Sequence, residues 1–350
     1  MNILDTLEQF DINDKILGYS PLGNGHINTT YLVTTKGGDN YVLQKINNHV
    51  FKDVDLLMNN IYNTTNFLSN KGYETLEIVK TKDHKLYFKS GDEYYRVYTY
   101  VKDVICYEGV DDLDAVYNTA KAFGALHKSL FDFPVKSLGE VIPNFHNTEK
   151  RYEDFLLAVN LNAYGRVNNC YKEILRINRF KDLYSLINKN IKSGEVKLGV
   201  THNDPKINNV LFDKNNNRIR AVIDLDTVMP GSYLYDYGDA LRSLMTGEYE
   251  DTTDLKKINV DFDIFKVYSR GYLSEMKDFL TSKEKELMPF SIFLLTIELA
   301  IRFLTDYLQG DKYFHTNYDE HNLVRARTQL KLAEDLYDNL DTLKAIINTL

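Results

Sequence analysis

Tryptophan is absent from this 350-residue sequence, and cysteine occurs only twice, at Cys106 and Cys170. Without tryptophan, one common means of caging a quaternary ammonium ion is gone. The two cysteines lie too far apart for the short spacing of a metal site or a redox pair, which makes a reducing compartment the expectation. Positive charge is also in deficit. The 42 Lys and Arg stand against 50 Asp and Glu, a formal charge of −8, and this argues against a protein that works on nucleic acid or on an anionic membrane surface. The opening "MNILDTLEQF" has neither the basic nor the apolar region of a signal peptide. The longest apolar stretch, "FLLTIELAIRFL", is interrupted by Glu298 and Arg302 and is by itself too short to span a bilayer. Repeats, low-complexity tracts and a flexible linker are missing as well. Together these absences predict a cytoplasmic protein, and 43% apolar residues suffice for a sizeable core.

The residues that are present change texture along the chain. From Ile16 to about Val101, "YLVTT", "NYVLQKI", "KLYFKS" and "EYYRVYTYV" are β-branched and aromatic, and turn clusters such as "KGGDN" and "KSGDE" separate them. Between them "VDLLMNNIYNTTNFLSNKG" spaces its apolar residues as a helix and ends on Lys-Gly, a C-terminal cap signal. After Val101 the pattern becomes helical, as in "LDAVYNTAKAFGALHKSL", and it is helical again from Phe262 to Leu350. Two strand-like segments, "NNVLF" and "RIRAVIDLD", joined by "DKNNN", predict a hairpin within that helical region. The expected fold is α+β: a small antiparallel-sheet lobe with one inserted helix (residues 1–101), then a larger, mainly helical lobe (residues 102–350).

Chemistry concentrates in "THNDPKINNVLFD". Asp204 is followed five residues later by Asn209, and Asp224 closes the apolar run "AVI" on the other arm of the hairpin. Taken singly, each polar residue here is accounted for by turn hydrogen bonding. In combination they suit phosphoryl transfer, with one carboxylate to orient the attacking hydroxyl and two oxygen-bearing side chains to hold magnesium against nucleotide phosphates. Lys206 either brings positive charge to the transferring group or points to solvent, while His202 and Asn208 hold the loop. Upstream, "LGNGHINTTYLV" sets Gly23 and Gly25 at a turn before a strand, where backbone N–H groups can approach phosphates. Glycine turn, strand, helix, strand, helical lobe, Asp-x4-Asn and "IDLD" form the running order of a two-lobed kinase.

The chain resembles the aminoglycoside phosphotransferase and choline kinase superfamily, with its protein-kinase-like fold, and within it looks most similar to the N-acetylhexosamine 1-kinases. The resemblance is carried by "GNGHINTTYLV", "YVLQKINNHVFKD", "VIPNFHNTEKRYEDF", "THNDPKINNVLFD", "VIDLDTVMPGSYLYDYGDALR" and "ELAIRFLTDYLQGDKYFHTNYDEHNLVRARTQLKL", which span residues 23–332. It implies that Asp204 is the catalytic base, that Asn209 and Asp224 bind Mg2+, and that ATP is the co-substrate of a small-molecule sugar. It also implies nucleotide contacts at Gly23, Asn24, Gly25, Lys45, Tyr100 and Val101, and acceptor contacts at Asp204, Arg302 and Tyr313; His26 joins the acceptor candidates because it follows Gly25 directly.

Two departures from the pattern bear on the nucleotide lobe. The strand that carries the family's phosphate-binding lysine reads "VLQKI", so by parity Gln44 or Lys45 faces the nucleotide, not both. The helix that follows offers Asp53 and Asp55 in place of the partner glutamate. In the helical lobe, Arg302 lies four residues after Glu298 on one helical face, so an internal ion pair competes with acceptor binding as its explanation. Asp236 and Asp239 are expected to cap and anchor their helix and to contact the Asp224 loop.

Overall fold

A computed structural model describes residues 2–23, 27–107, 109 and 112–350, the side chain of Glu248 excepted. The chain sorts into two compact units, each discontinuous in sequence. One comprises Met1–Cys106, Asp132–Ile142 and Asn209–Pro230, the other Tyr107–Phe131, Pro143–Asn208 and Gly231–Leu350.

In chain order the first unit begins with α1 (Ile3–Leu7), β1 (Ile16–Pro21), β2 (Thr29–Thr35), β3 (Tyr41–Ile46), α2 (Val54–Asn70), β4 (Ile78–Val79), β5 (Phe88–Ser90), β6 (Glu93–Thr99) and β7 (Val104–Ile105). The second unit follows with α3 (Leu113–Ser129), α4 (Thr148–Leu161), α5 (Tyr171–Arg179), α6 (Leu186–Ser193) and β8 (Gly199–Thr201). The chain then returns to the first unit for β9 (Val210–Asp213) and β10 (Ile219–Val222) and leaves it through β11 (Met229–Gly231). Helices α7 (Tyr233–Thr246), α8 (Phe262–Met276), α9 (Ser282–Leu308), α10 (His321–Asp338) and α11 (Leu340–Thr349) complete the second unit.

The antiparallel sheet of the first unit has the order β1-β2-β3-β6-β4, with β5 also paired to β6. Side chains alternate between its faces. Leu43, Tyr95 and Val97 bury one face together with Leu7, Phe10 and Val33, and Lys45 and Glu93 belong to that same face by parity. The other face carries the cross-strand partners Gln44 and Arg96 and meets α2, where an Arg96 Nη1–H points to Met58 Sδ at 3.9 Å. Helix α2 starts because the Asp53 side chain accepts the Leu56 N–H at 2.9 Å. It stops where Gly72 takes φ +74°, a conformation that costs glycine little.

The hairpin of β9 and β10, contiguous in sequence with helical segments, belongs to the first unit. Strand β9 pairs with β7 as well as β10. Asn60 on α2, 1% exposed, donates to the carbonyls of Gly139 at 2.8 Å and Val228 at 2.9 Å, tying both later segments to the same helix.

The core of the second unit is α9. A capping box opens it: Thr281 accepts the Glu284 N–H, and the Glu284 carboxylate accepts the Thr281 N–H. Its 27 residues extend the apolar stretch well beyond "FLLTIELAIRFL", so by length and composition it does reach bilayer-spanning size, contrary to expectation. Its most apolar window is nonetheless 94% buried inside the fold, packed by α10, α7 and α4. Helix α7 approaches α9 closely at Gly238, where a Cβ would sit 2.5 Å from the Ser291 carbonyl oxygen.

Candidate active site

In the second unit, the loop after β8 is fastened from below by Asp236 on α7. This carboxylate, 1% exposed, accepts the backbone N–H of His202 at 2.6 Å and of Asn203 at 2.7 Å, and it pairs with His127 Nε2 at 2.8 Å. His127 Nδ1 in turn lies 2.8 Å from the Tyr272 hydroxyl. Burial opposes ionisation of Asp236, yet the hydrogen bond and charge of His127 outweigh it and hold the carboxyl below its usual range. The cap of α7 is Ser232, whose side chain accepts the Leu234 N–H, and not Asp236 as expected; from inside the first turn Asp236 instead anchors α7 to the loop of Asp204. Asn203 takes φ +65°, and the Asp204 N–H donates to His202 Nδ1 at 3.2 Å, which directs the chain outward at Asp204.

Lys206, for which the sequence left two options, stands 3.0 Å from the Asp204 carboxylate. Asp239 forms an ion pair with Arg242 at 2.8 Å. Burial opposes the Asp239 charge, but Arg242, His146 and Lys206 together bring its carboxyl below the usual range. Asp204 likewise contributes to raising Arg242. Asp239 and Arg242 thus lie within electrostatic reach of Asp204 and Lys206, a proximity that spacing alone did not reveal.

Arg302 on α9 is not paired with Glu298. Glu298 accepts the Thr148 hydroxyl at 2.6 Å and faces His146 Nδ1 at 3.1 Å. The guanidinium of Arg302 lies instead among the rings of Phe145 (6.0 Å), Tyr313 (5.9 Å) and Phe314 (5.4 Å). A second guanidinium, Arg151, feels it. Burial first and Arg302 next hold Arg151 below the usual arginine range. Arg151 donates to the Phe145 carbonyl at 3.2 Å, while its Nε and the Nε2 of His146 are buried and lack hydrogen-bond partners among the described residues. Tyr313 is 70% exposed, but its backbone is fixed. Asp306 accepts the N–H groups of Lys312, Tyr313 and Phe314 at 2.8–2.9 Å.

In the first unit, Asn209 and Asp224 stand at the two ends of the hairpin. The Ile223 N–H donates to the Asn209 carbonyl at 2.9 Å, so the two residues come from adjacent backbone. Asp224 takes φ +59° and ψ +53° and opens a 3-10 turn, Leu225–Thr227, the left-handed conformation that aspartate tolerates better than most residues. An amide oxygen and a carboxylate make a hard-oxygen pair that suits magnesium. That ion usually takes one or two protein groups and completes its shell with phosphate and water. The donor set therefore fits the expected ion.

On β3, Gln44 and not Lys45 shares a face with the Asp224 loop. Gln44 Oε1 accepts Arg96 Nε at 2.9 Å and Nη2 at 2.8 Å, and Arg96 Nη1 pairs with Asp226 at 2.5 Å. Burial disfavours the Arg96 charge, and Asp226 restores it and raises the group above its ordinary value. Lys45 pairs with Glu93 on the opposite face, both side chains 41% exposed. Neither candidate acid of α2 takes that part: Asp53 caps its helix, and Asp55 accepts the Tyr87 hydroxyl at 2.8 Å. Gly23 has φ +70°. Asn24, Gly25 and His26 lie outside the described residues. Tyr100 and Val101 are half-buried just beyond β6, and the Tyr100 N–H donates to the Asn40 carbonyl at 3.0 Å.

Residues 18–261 match the model of the phosphotransferase enzyme family. The chain belongs to that family. Solved structures of similar fold include an aminoglycoside phosphotransferase from Alicyclobacillus acidocaldarius at 15% identity and TM-score 0.64, covering 100% of this chain and 97% of that one. A choline kinase from Cryptosporidium parvum, also 15% identical, has TM-score 0.62 and coverage of 99% and 98%. Amicoumacin kinase, in complex with AMP-PNP and Ca2+, gives TM-score 0.60 at 15% identity, with coverage of 95% and 92%. The fold of this phosphotransferase is thus the protein-kinase-like fold of small-molecule kinases, a small antiparallel sheet joined to a larger helical region.

Proposed function

We propose that this phosphotransferase uses ATP and Mg2+ to phosphorylate the anomeric hydroxyl of an N-acetylhexosamine, giving the sugar 1-phosphate. Residues 1–101 would serve as the nucleotide-binding lobe, with Gly23, Asn24, Gly25, Tyr100 and Val101 toward ATP, and residues 102–350 as the catalytic and acceptor-binding lobe. The observation that carries the acceptor class is the charge around Arg302. Two guanidinium groups influence each other there, and the two carboxylates four residues away on the same helix are engaged elsewhere, Glu298 by Thr148 and His146 and Asp306 by the N–H groups of Lys312, Tyr313 and Phe314. Aminoglycosides and choline are cations and would be repelled by such a site. A neutral polyhydroxylated ring supplies oxygens to accept from Arg302 and a face to lie on Tyr313.

Asp204 orients the acceptor hydroxyl. As the bond from the acceptor oxygen to the γ-phosphorus forms and the bond from that phosphorus to ADP breaks, the hydroxyl proton passes to the Asp204 carboxylate. An ordinary aspartate, with pKa near 3.9, is too weak to ionise the hydroxyl beforehand, so its work is positioning followed by late acceptance of the proton. Lys206, beside Asp204, fixes its orientation and brings positive charge toward the transferring phosphoryl group. Asn209 and Asp224 would hold the magnesium ion, which neutralises phosphate charge when bound.

The test is an ADP-release assay with magnesium over N-acetylglucosamine, N-acetylgalactosamine, other hexoses, choline, ethanolamine and an aminoglycoside. Turnover of an N-acetylhexosamine is expected. Turnover confined to the amines would sink the proposal, and stabilisation by ATP without turnover of any acceptor would mark a non-catalytic sensor.

A further inference from the structure

Among the described residues of the first unit one cation is fully buried, and the family pattern assigns it no role. Arg96 sits mid-strand in β6 at 2% exposure, on the face shared with Gln44. Its guanidinium spends two N–H groups on Gln44 Oε1 and turns a third toward Asp226. The chain of contacts extends both ways. Gln44 Nε2 donates to the Thr30 hydroxyl at 3.1 Å, and the second Asp226 oxygen accepts Asn28 Nδ2 at 2.5 Å. Asn28 Oδ1 in turn accepts the Asn47 N–H at 2.9 Å, immediately after β3. A planar fork suits this bridging, because it fixes direction as well as charge.

Burial of an arginine in the middle of a sheet is costly unless its charge is matched and its donors are used. A hydrophobic residue would fill the same space, so stability alone gives a weak reason for it. What the pair does fix is the turn that begins at Asp224. Asp226 lies two residues on, inside the 3-10 turn that Asp224 opens in a left-handed conformation, and it is gripped from β6 by Arg96 and from the segment before β2 by Asn28. With one oxygen in the ion pair with Arg96 and the other accepting from Asn28, Asp226 is tied to β6 and to the segment before β2, and the turn that Asp224 opens is tied with it.

We infer that Arg96 is a positioning residue for the divalent metal, setting Asp224 through the Gln44–Arg96–Asp226–Asn28 chain. It supplies the lobe's fixed interior charge in place of a strand lysine, and it acts through Asp226 without touching the nucleotide. This rests on the assignment of Asp224 as a metal ligand. Groups that orient metal ligands commonly change affinity 10- to 100-fold when altered.

The measurement is Mn2+ binding to the full chain in the presence of AMP-PNP, followed by the electron paramagnetic resonance of free Mn2+, with thermal unfolding recorded alongside. Arg96→Lys keeps the charge and loses the fork, and it should weaken Mn2+ about tenfold or more. In turnover the loss should appear as a raised metal requirement, with kcat largely recovered at high metal. Asn28→Ala, at a half-buried site, should shift affinity in the same direction and carries the test if Arg96→Lys does not fold. A merely structural role would lower the unfolding temperature and leave Mn2+ affinity alone, and that result in both variants overturns the inference. Asp224→Ala separates the two levels. If it abolishes Mn2+ binding while Arg96→Lys and Asn28→Ala bind normally, only the role of Arg96 falls; if it binds Mn2+ normally, the metal assignment falls with it. None of these measurements requires an acceptor, so failure of the sugar assignment would be seen separately.

Discussion

Single residues decide what this site can bind, and they differ in how openly the sequence announces them. The spacing that singled out Asn209 and Asp224 is realised in one hairpin, which sets the two residues on adjacent backbone, whereas Asp204 precedes it on the loop after β8. Arg302 was legible only as a question, since its helical neighbour Glu298 is an equally good partner on spacing. The answer came from His146 and Thr148, about 150 positions away, which no local pattern can bring forward. Arg96 was missed, although the argument applied to Arg302 was available: "YYRVYTYV" places one guanidinium in an apolar, aromatic strand. At this scale Asp204→Asn should lower kcat on the order of 10²- to 10⁴-fold with KM for ATP little changed, as steady-state kinetics will read. Near-normal turnover would remove Asp204 from the chemistry. Arg302→Gln should raise KM for the acceptor by about 10- to 100-fold, the worth of a hydrogen bond to a charged group, with the unfolding temperature nearly unchanged. A KM that stays put would return Arg302 to a packing role among its rings.

Elements place those residues, and here the sequence was a better guide to type than to affiliation. Strands β2, β3, β5 and β6 and helix α2 appear within the segments that β-branched, aromatic composition and helical spacing marked, because such signals are local, while the two-residue β4 carried no such mark. The hairpin of β9 and β10 was visible as a hairpin, but its pairing with β7 is a long-range event and groups it with the first unit. Likewise, the apolar stretch around Glu298 did not disclose the full length of α9, whose opening turns are polar. The contact of α7 with α9 yields a prediction about elements. Gly238→Ala would press a Cβ to 2.5 Å from the Ser291 carbonyl, and overpacking of this kind costs about 1–3 kcal/mol. Since α7 also carries Asp236 and Asp239, the variant should lose kcat as well as thermal stability. A drop in melting temperature with unchanged kcat would mean that α7 can shift without moving the Asp204 loop.

For the whole molecule, the buried carboxylates set the response to acid. Asp236 and Asp239 both belong to the second unit, and both are held below the usual aspartate range against the cost of burial. A carboxyl whose folded pKa lies below its unfolded value contributes stability that is complete above the unfolded value, about 3.9. That contribution is lost as pH falls through the folded value. Stability of the second unit should therefore change little through these groups between pH 7 and about 5, then decline below about 4. Asp236→Asn removes the linked proton, while leaving His127 and two backbone N–H groups facing a poorer acceptor. Breaking a buried charged network costs about 3–5 kcal/mol at neutral pH. Because the wild type loses its advantage in acid and the variant has none to lose, the difference in unfolding free energy between them should shrink from pH 7 to pH 3. Denaturant titrations followed by far-ultraviolet circular dichroism at the two pH values measure it directly. A difference equally large at both would show that the Asp236 charge is not what fastens the Asp204 loop, and that the grip comes from shape and hydrogen bonding alone.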